Sequence, residues 1–210
     1  YGLCINNTNN ILYATSKEGN YIYKIDLTNL LSPIIQEISL EMGNPVSTVQ
    51  TLNPYNICLS PDGTRYFVTC NKSAELRIVQ TSNDSLLDIH ATGSNPAEII
   101  FSHDYPYLFV SCMGVPGTIK LSVVNVFNLN SNTFLPEIYA GHDSKGIMID
   151  DVSNKLYVAN RNVSSGGPAA HHEPVCEGKN GYITAIDLNT LQLIPGYKAE
   201  LSVDPYHISK

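Results

Sequence analysis

The residues best equipped for chemistry sit together in one stretch, His171-His172-Glu173-x-x-Cys176. They lie within a Gly- and Pro-rich segment that runs from Asn162 to Asn180. Imidazoles, a carboxylate and a thiolate are the usual ligands of zinc and other transition metals. His171, His172 and Cys176 are therefore the metal candidates, and the chemistry would be contact with a metal or a haem. The spacing matches no specific zinc pattern, and the chain has no Cys-x-x-Cys-His haem attachment. The competing reading is a polar loop whose histidines form hydrogen bonds or meet a partner. On that reading no resident cofactor is expected. His142 stands next to Asp143, and His207 lies near the end of the sequence. Asp143 or Glu173 could act as acid or base with His142, although polar loops assemble such groups by chance. Ser164-Ser165-Gly166-Gly167 lacks the strand-to-helix setting and the lysine of a phosphate loop. No Gly-x-Ser-x-Gly nucleophile elbow is present.

The composition narrows what could carry these residues. Only 15% of the 210 residues are charged, while 43% are hydrophobic. Asn, Thr, Ser and Tyr are abundant, which suits short strands joined by polar turns. The net charge is −7, and the 12 Lys and Arg residues are scattered. A nucleic-acid partner is not expected, because phosphate binding needs a concentrated basic face. No apolar run reaches the roughly 18 residues of a membrane span. Five cysteines is an odd number. Cys4 and Cys58 fall at equivalent repeat positions, as do Cys70 and Cys112. Equivalent positions on neighbouring repeats usually lie too far apart for a disulfide, so these read as small buried strand residues.

The elements that would position the candidates come from a repeat. Four segments resemble one another: Leu12-Tyr13-Ala14-Thr15, Tyr66-Phe67-Val68-Thr69, Leu108-Phe109-Val110-Ser111 and Leu156-Tyr157-Val158-Ala159. Each follows a turn of Asn, Asp, Gly or Pro, which is a hairpin signal. A strand precedes each turn, and an alternating third strand follows, such as Tyr21 to Asp26. A fourth strand closes each unit, spanning roughly 34–40, 86–91, 133–139 and 192–203. The aromatic anchors Tyr13, Phe67, Phe109 and Tyr157 are 54, 42 and 48 residues apart. Four strands per unit at a period in the forties predicts an all-β fold, a β-propeller of four-stranded antiparallel blades. The blades are expected at about 1–52, 53–94, 95–141 and 142–204. Residues 205–210 resemble the start of the second blade and open a fifth, so the complete protein is expected to have more blades, seven in all.

The stretches Ser60-Pro61-Asp62-Gly63-Thr64-Arg65-Tyr66-Phe67-Val68-Thr69-Cys70-Asn71 and Asn154-Lys155-Leu156-Tyr157-Val158-Ala159-Asn160 resemble the consensus of YVTN β-propeller repeats (YncE-like proteins). That resemblance implies an extracytoplasmic protein of the periplasm or cell surface, secreted or attached through an N-terminal signal or lipid anchor. It implies a binding or scaffold module more than an enzyme.

Function in propellers sits in loops, because the strands are occupied with packing. From the aromatic anchor to the third strand the spacing is 8 residues in the first two blades, 13 in the third and 25 in the fourth. Both insertions fall in the same loop type, on the face that also receives the connections between blades. His142, Asp143, His171, His172, Glu173 and His207 all map to that face. They are the expected contact residues for a protein or glycan partner. The alternative is a periplasmic redox-associated propeller that contacts a metal or haem through the same histidines. A lactonase-like hydrolase would need a more acidic channel mouth.

Overall fold

The computed structural model describes residues 2–16, 18–41, 51–115, 122–163, 180–203 and 205–209. The predicted metal candidates His171, His172 and Cys176, and Glu173 with them, lie outside the described residues.

The described residues form four antiparallel sheets and no helix. The first has the order β1 (Leu3–Asn6), β2 (Ile11–Thr15), β3 (Tyr21–Asp26) and β4 (Ile34–Ser39). The second runs β5 (Pro54–Leu59), β6 (Arg65–Cys70), β7 (Glu75–Gln80) and β8 (Leu86–Ala91). The third contains β9 (Pro96–Phe101), β10 (Tyr107–Cys112), β11 (Ser122–Asn128), β12 (Thr133–Phe134) and β13 (Ile138–Gly141). The fourth contains β14 (Ser144–Asp150), β15 (Lys155–Asn160), β16 (Asn180–Asp187), β17 (Gln192–Leu193) and β18 (Ala199–Val203). The first three strands of each sheet pair in chain order, and the broken outer strands β12 and β13 both pair β11, as β17 and β18 both pair β16.

The outer strands expected over 133–139 and 192–203 are each broken in two. Leu135-Pro136-Glu137 separates β12 from β13, and Pro136 has no N–H to give to a ladder. Ile194-Pro195-Gly196-Tyr197 separates β17 from β18. Pro second and Gly third in a four-residue turn is the type II signature. Gly196 has φ +73°, and the Tyr197 N–H bonds the Ile194 carbonyl at 3.3 Å.

The chain forms two compact units, residues 1–92 and 93–210. In the first, the core lies between the two sheets. Tyr13, Ile22, Ile38 and Leu40 of one meet Ile57, Tyr66, Val68 and Val79 of the other. The rings of Tyr13 and Tyr66 are 4.8 Å apart. In the second unit the same pattern joins Phe109, Val124 and Val126 to Ile147, Leu156 and Val158. Alternation makes this possible, because each strand offers apolar side chains to both faces of its sheet. The outward face of the first sheet carries Leu3, Ile5 and Ile35, which are 70%, 48% and 61% exposed. The register-equivalent face of the second sheet, with Ile57, Tyr66 and Val79, is the one buried under the first.

A hydroxyl at the end of the second strand fastens neighbouring sheets. The Thr15 Oγ1 accepts the Gly2 N–H at 2.8 Å and donates to the Tyr55 carbonyl at 3.1 Å. Ser111 repeats this. Its Oγ accepts the Glu98 N–H at 3.0 Å and donates to the Lys145 carbonyl at 2.5 Å. Thr69 receives the Asn56 N–H at 3.0 Å in the same way.

A buried ion pair adds a second fastening. Arg77 and Glu75 share one face of β7 and are 1% and 0% exposed. The Arg77 Nε and Nη2 donate to Glu75 Oε2 at 3.1 and 3.0 Å, and its Nη1 donates to the Leu40 carbonyl just beyond β4. Removing one member of such a pair leaves the other buried and uncompensated. Glu75→Ala is expected to lower stability by about 3–5 kcal/mol, read as a fall in the urea midpoint.

Burial first, then the Asp84 carboxylate and Cys4, push the Tyr13 hydroxyl from its ordinary 10.0 up to about 12. The folded state therefore resists losing this proton. The stability it contributes is complete below pH 10 and is lost as the pH rises towards 12. Urea midpoints are expected to decline across that window in the parent. In Tyr13→Phe the decline is expected to be smaller.

Candidate functional site

The insertions leave the sheets through tied necks. Asn162, fully buried, donates from Nδ2 to the Asn180 carbonyl at 2.8 Å, which closes the 162–180 segment at its base. In the third sheet Asn95 Nδ2 donates to the Gly114 carbonyl at 2.7 Å. Ser122 Oγ donates to the Met113 carbonyl at 2.8 Å and accepts the Ser144 N–H at 3.2 Å. Both loops therefore start from fixed points on the second unit.

Asp143 fills a backbone role. It has φ +54°, beside +55° and +53° for Asn53 and Asn95 at the equivalent connections. Asn and Asp tolerate this left-handed conformation better than other side chains. The carbonyls of all three residues accept an N–H from just beyond the second strand of their own sheet, from Asn71, Met113 and Arg161. His142 precedes Asp143 and is half-buried. Its carbonyl accepts the Asn162 N–H at 3.1 Å, and its N–H donates to the Tyr182 Oη at 3.0 Å. The Tyr182 hydroxyl is pushed up, mainly by burial.

His207 meets a residue that carried no sequence signal of its own. Its Nδ1 lies 3.2 Å from Glu98 Oε1, and Glu98 Oε2 accepts the Ile147 N–H at 3.1 Å. One carboxylate thus joins β9, β14 and the 205–209 segment. Glu98 occupies the register position held by Asn56 in the second sheet and Gly146 in the fourth. An acid at a position otherwise neutral is the clue that sequence comparison between the repeats could have supplied.

The 205–209 segment is seated by two glycines. A Cβ on Gly146 would stand 3.1 Å from the His207 Cα, and one on Gly181 would overlap the Pro205 ring. The segment therefore lies tight against β14 and β16. This places the Tyr206 ring against two cations. Lys145 Nζ is 3.0 Å from the ring centroid and Arg161 Cζ is 4.6 Å from it. Lys145 is only 4% exposed, whereas Tyr206 is 52% exposed.

The site thus brings together Glu98, His207, Lys145, Arg161 and Tyr206. Of the residues singled out by sequence only His207 is among them, with His142 and Asp143 holding the adjoining connection. Among the described residues, no three His, Cys, Asp or Glu side chains converge as metal ligands. Cys4, Cys58, Cys70 and Cys112 are free thiols. Burial pushes the Cys70 thiol up to about 12, and the buried Cys112 donates to Asn125 Oδ1 at 3.2 Å. A thiol so held is a poor nucleophile at neutral pH.

No family model matches the chain, and no curated protein matches it. Solved structures do. Hydrazine synthase of Kuenenia stuttgartiensis is 14% identical with a TM-score of 0.73, over 96% of this chain and 49% of that one. A protein from Lactobacillus plantarum is 19% identical with a TM-score of 0.70, over 99% and 57%. Apo AztD from Citrobacter koseri is 11% identical with a TM-score of 0.61, over 99% and 48%. The chain spans about half the length of the structures it matches. These neighbours are β-propeller proteins, and with the four antiparallel sheets they give this chain the β-propeller fold.

The glycine seating has a measurable consequence. Gly146→Val is expected to lift the 205–209 segment off β14. Cleavage by chymotrypsin after Tyr206 should then quicken, while the β15 and β16 amides keep their protection from hydrogen exchange.

Proposed function

We propose that this chain is an extracytoplasmic β-propeller module of the YVTN type that binds a protein or glycan partner without catalysing a reaction. Its contact surface is the part of the second unit from which both insertions leave, together with His142, Asp143, His171, His172, Glu173 and His207. The observation that carries this reading is the division of labour around Tyr206. Glu98 is committed to the Ile147 N–H and His207, and Asp143 to a left-handed turn. The exposed feature is an aromatic ring backed by cations. Aromatic and Arg side chains are the usual anchors of recognition surfaces, and here Arg161 stands just beyond the end of β15 and Tyr206 on a segment seated against β14 and β16. The hydrogen bonds of Asn162 to Asn180 and of Asn95 to Gly114 fix the points on the sheets from which both insertions leave.

The test is an array of glycans and extracytoplasmic proteins, probed with the intact chain and with a variant in which residues 164–179 are replaced by a short Gly-Ser link. A ligand retained by the parent and lost by a folded variant supports the reading. Metal analysis and visible absorption of the same samples provide the opposing outcome. A stoichiometric metal or a haem band that disappears in His171→Ala/His172→Ala would overturn it in favour of redox-associated function.

A further inference from the structure

We propose that the outer edge of the first sheet, strand β4, pairs with the same strand of a second copy to form a closed two-fold dimer. This goes beyond the binding reading above, because it uses residues of the first unit only.

The free side of β4 follows from its ladder. The Leu40 N–H bonds the Asn20 carbonyl at 2.7 Å, and the pairing of β4 with β3 is regular over all 6 residues. In an antiparallel ladder the backbone groups of alternate residues point to opposite sides. Leu40, Ile38, Gln36 and Ile34 therefore bond β3, and the N–H and C=O groups of Ile35, Glu37 and Ser39 point outward. Such a row is a template for another strand. The outer edges of the other three sheets are each blunted. In β8 the ladder shifts register, and the Asp88 carboxylate takes the Ile89 N–H at 2.9 Å. Pro136 interrupts the edge of the third sheet, and Pro195-Gly196 that of the fourth. Strand β4 has neither bulge nor proline, and Ile34 and Ile35 are 70% and 61% exposed on its two faces. Leu30 and Leu31, in the loop before it, are 76% and 98% exposed. An apolar edge without protection is the kind that another strand covers.

The sequence of β4 supplies that strand, and charge and proline select the register. Centred on Glu37, an antiparallel pair of β4 strands sets two carboxylates opposite each other, which is destabilising. Centred on Ile35, it puts Pro33, which has no N–H, opposite Glu37 in the bonds next to the centre. Centred on Gln36, Ile35 and Glu37 of one copy exchange all their outward bonds with Glu37 and Ile35 of the other. Ile34 then lies opposite Ile38, and Pro33 falls outside these bonds. Two-fold pairing consumes the edge of both copies, so the assembly stops at two.

The test is the mass of the intact chain by light scattering, at concentrations from micromolar to millimolar. The mass should rise from one copy to two and stop there, because an edge this short buries little area and dilution separates the copies. Ile35→Pro removes an N–H that points away from β3, so circular dichroism should be unchanged while the dimer weakens at least tenfold. Ile35→Lys should do the same. Leu3→Ser, on the open face of the first sheet, should leave the dimer intact. With oxidised glutathione as oxidant, Gln36→Cys should form a disulfide between copies at least tenfold faster than Ser39→Cys. Residues opposite each other without mutual backbone bonds stand about 4.5 Å apart at Cα, within disulfide reach. A single-copy mass throughout, a mass that climbs beyond two, or full dimer affinity in both Ile35 variants would each overturn the proposal. Equal cross-linking of the two cysteine variants would overturn its register. Loss of the dimer in Leu3→Ser alone would assign it to the sheet face and overturn the edge. A monomeric parent whose array ligand is lost in Ile35→Pro would give the edge to a foreign strand and overturn self-pairing.

Discussion

A hydroxyl at the end of the second strand, Thr15, Thr69 or Ser111 in the first three sheets, sets the spacing on which the other contacts depend. Thr15 and Ser111 each accept an N–H from within or just before the first strand of their own sheet and donate to a carbonyl on the first strand of the next. Ser111 and Thr69 accept an N–H that is left over where the pairing shifts register. Beside Ser111 the ladder between β9 and β10 is irregular, and beside Thr69 the ladder between β5 and β6 is irregular too. A buried N–H without a partner is costly. The hydroxyl satisfies it and uses its own proton to hold the neighbour. With the first strands pinned at this distance, the apolar side chains of facing sheets interleave, as Tyr13 and Tyr66 do. The fold is thus a local solution that recurs from sheet to sheet.

The fourth sheet departs from that rule, and the departure gives rise to the candidate site. Where the other sheets have Thr69 and Ser111, it has Ala159, which has no hydroxyl to give. Asn160, fully buried beside it, turns inward instead. It accepts from Ser144 at 2.6 Å and donates to Thr184 at 3.0 Å, and Thr184 passes a bond on to the Ala140 carbonyl. The 205–209 segment is therefore seated by other means: the gaps at Gly146 and Gly181, the Glu98–His207 contact, and the cations against Tyr206. Charge and aromatic surface replace a neutral hydroxyl bond at this one junction.

The repeat was legible in the sequence because its signals are local. Asn, Asp and Gly at hairpins, alternation along β3 or β7, and an aromatic anchor in each second strand all act within a few residues. The breaks in the outer strands were equally local in cause, at Pro136 and at Pro195-Gly196, yet the alternating apolar pattern continued across them and concealed them. The site was less legible. His142 and Asp143 have the residue types of a contact or acid–base pair, but the geometry shows backbone work that Leu52 and Asn53 perform elsewhere with other side chains. Glu98 and Lys145 drew none, because each sits inside an apolar strand as an ordinary alternating polar residue. What gives them meaning is register between strands of different sheets, over separations of 49 residues for Glu98 to Ile147 and 109 for Glu98 to His207. No local pattern encodes such pairings.

Position within the repeat is the better guide to which polar residues are free for function. A residue whose equivalents in other sheets do the same backbone work is part of the scaffold, whatever its chemistry. Asp143 falls in this class through its match to Asn53 and Asn95. A residue whose equivalents are small or neutral has been placed for something the scaffold does not need. Lys145 belongs there, against Tyr55 and Ala97, whereas Glu98, against Asn56 and Gly146, is spent on the Ile147 N–H and His207. Lys145 carries the larger penalty, since a nearly buried ammonium loses most of its hydration. The repeat folds without a lysine at this position in its second and third sheets. The cost of burying one in the fourth is therefore not required by the architecture, and the aromatic and guanidinium groups gathered around it are what distinguish this junction from the others.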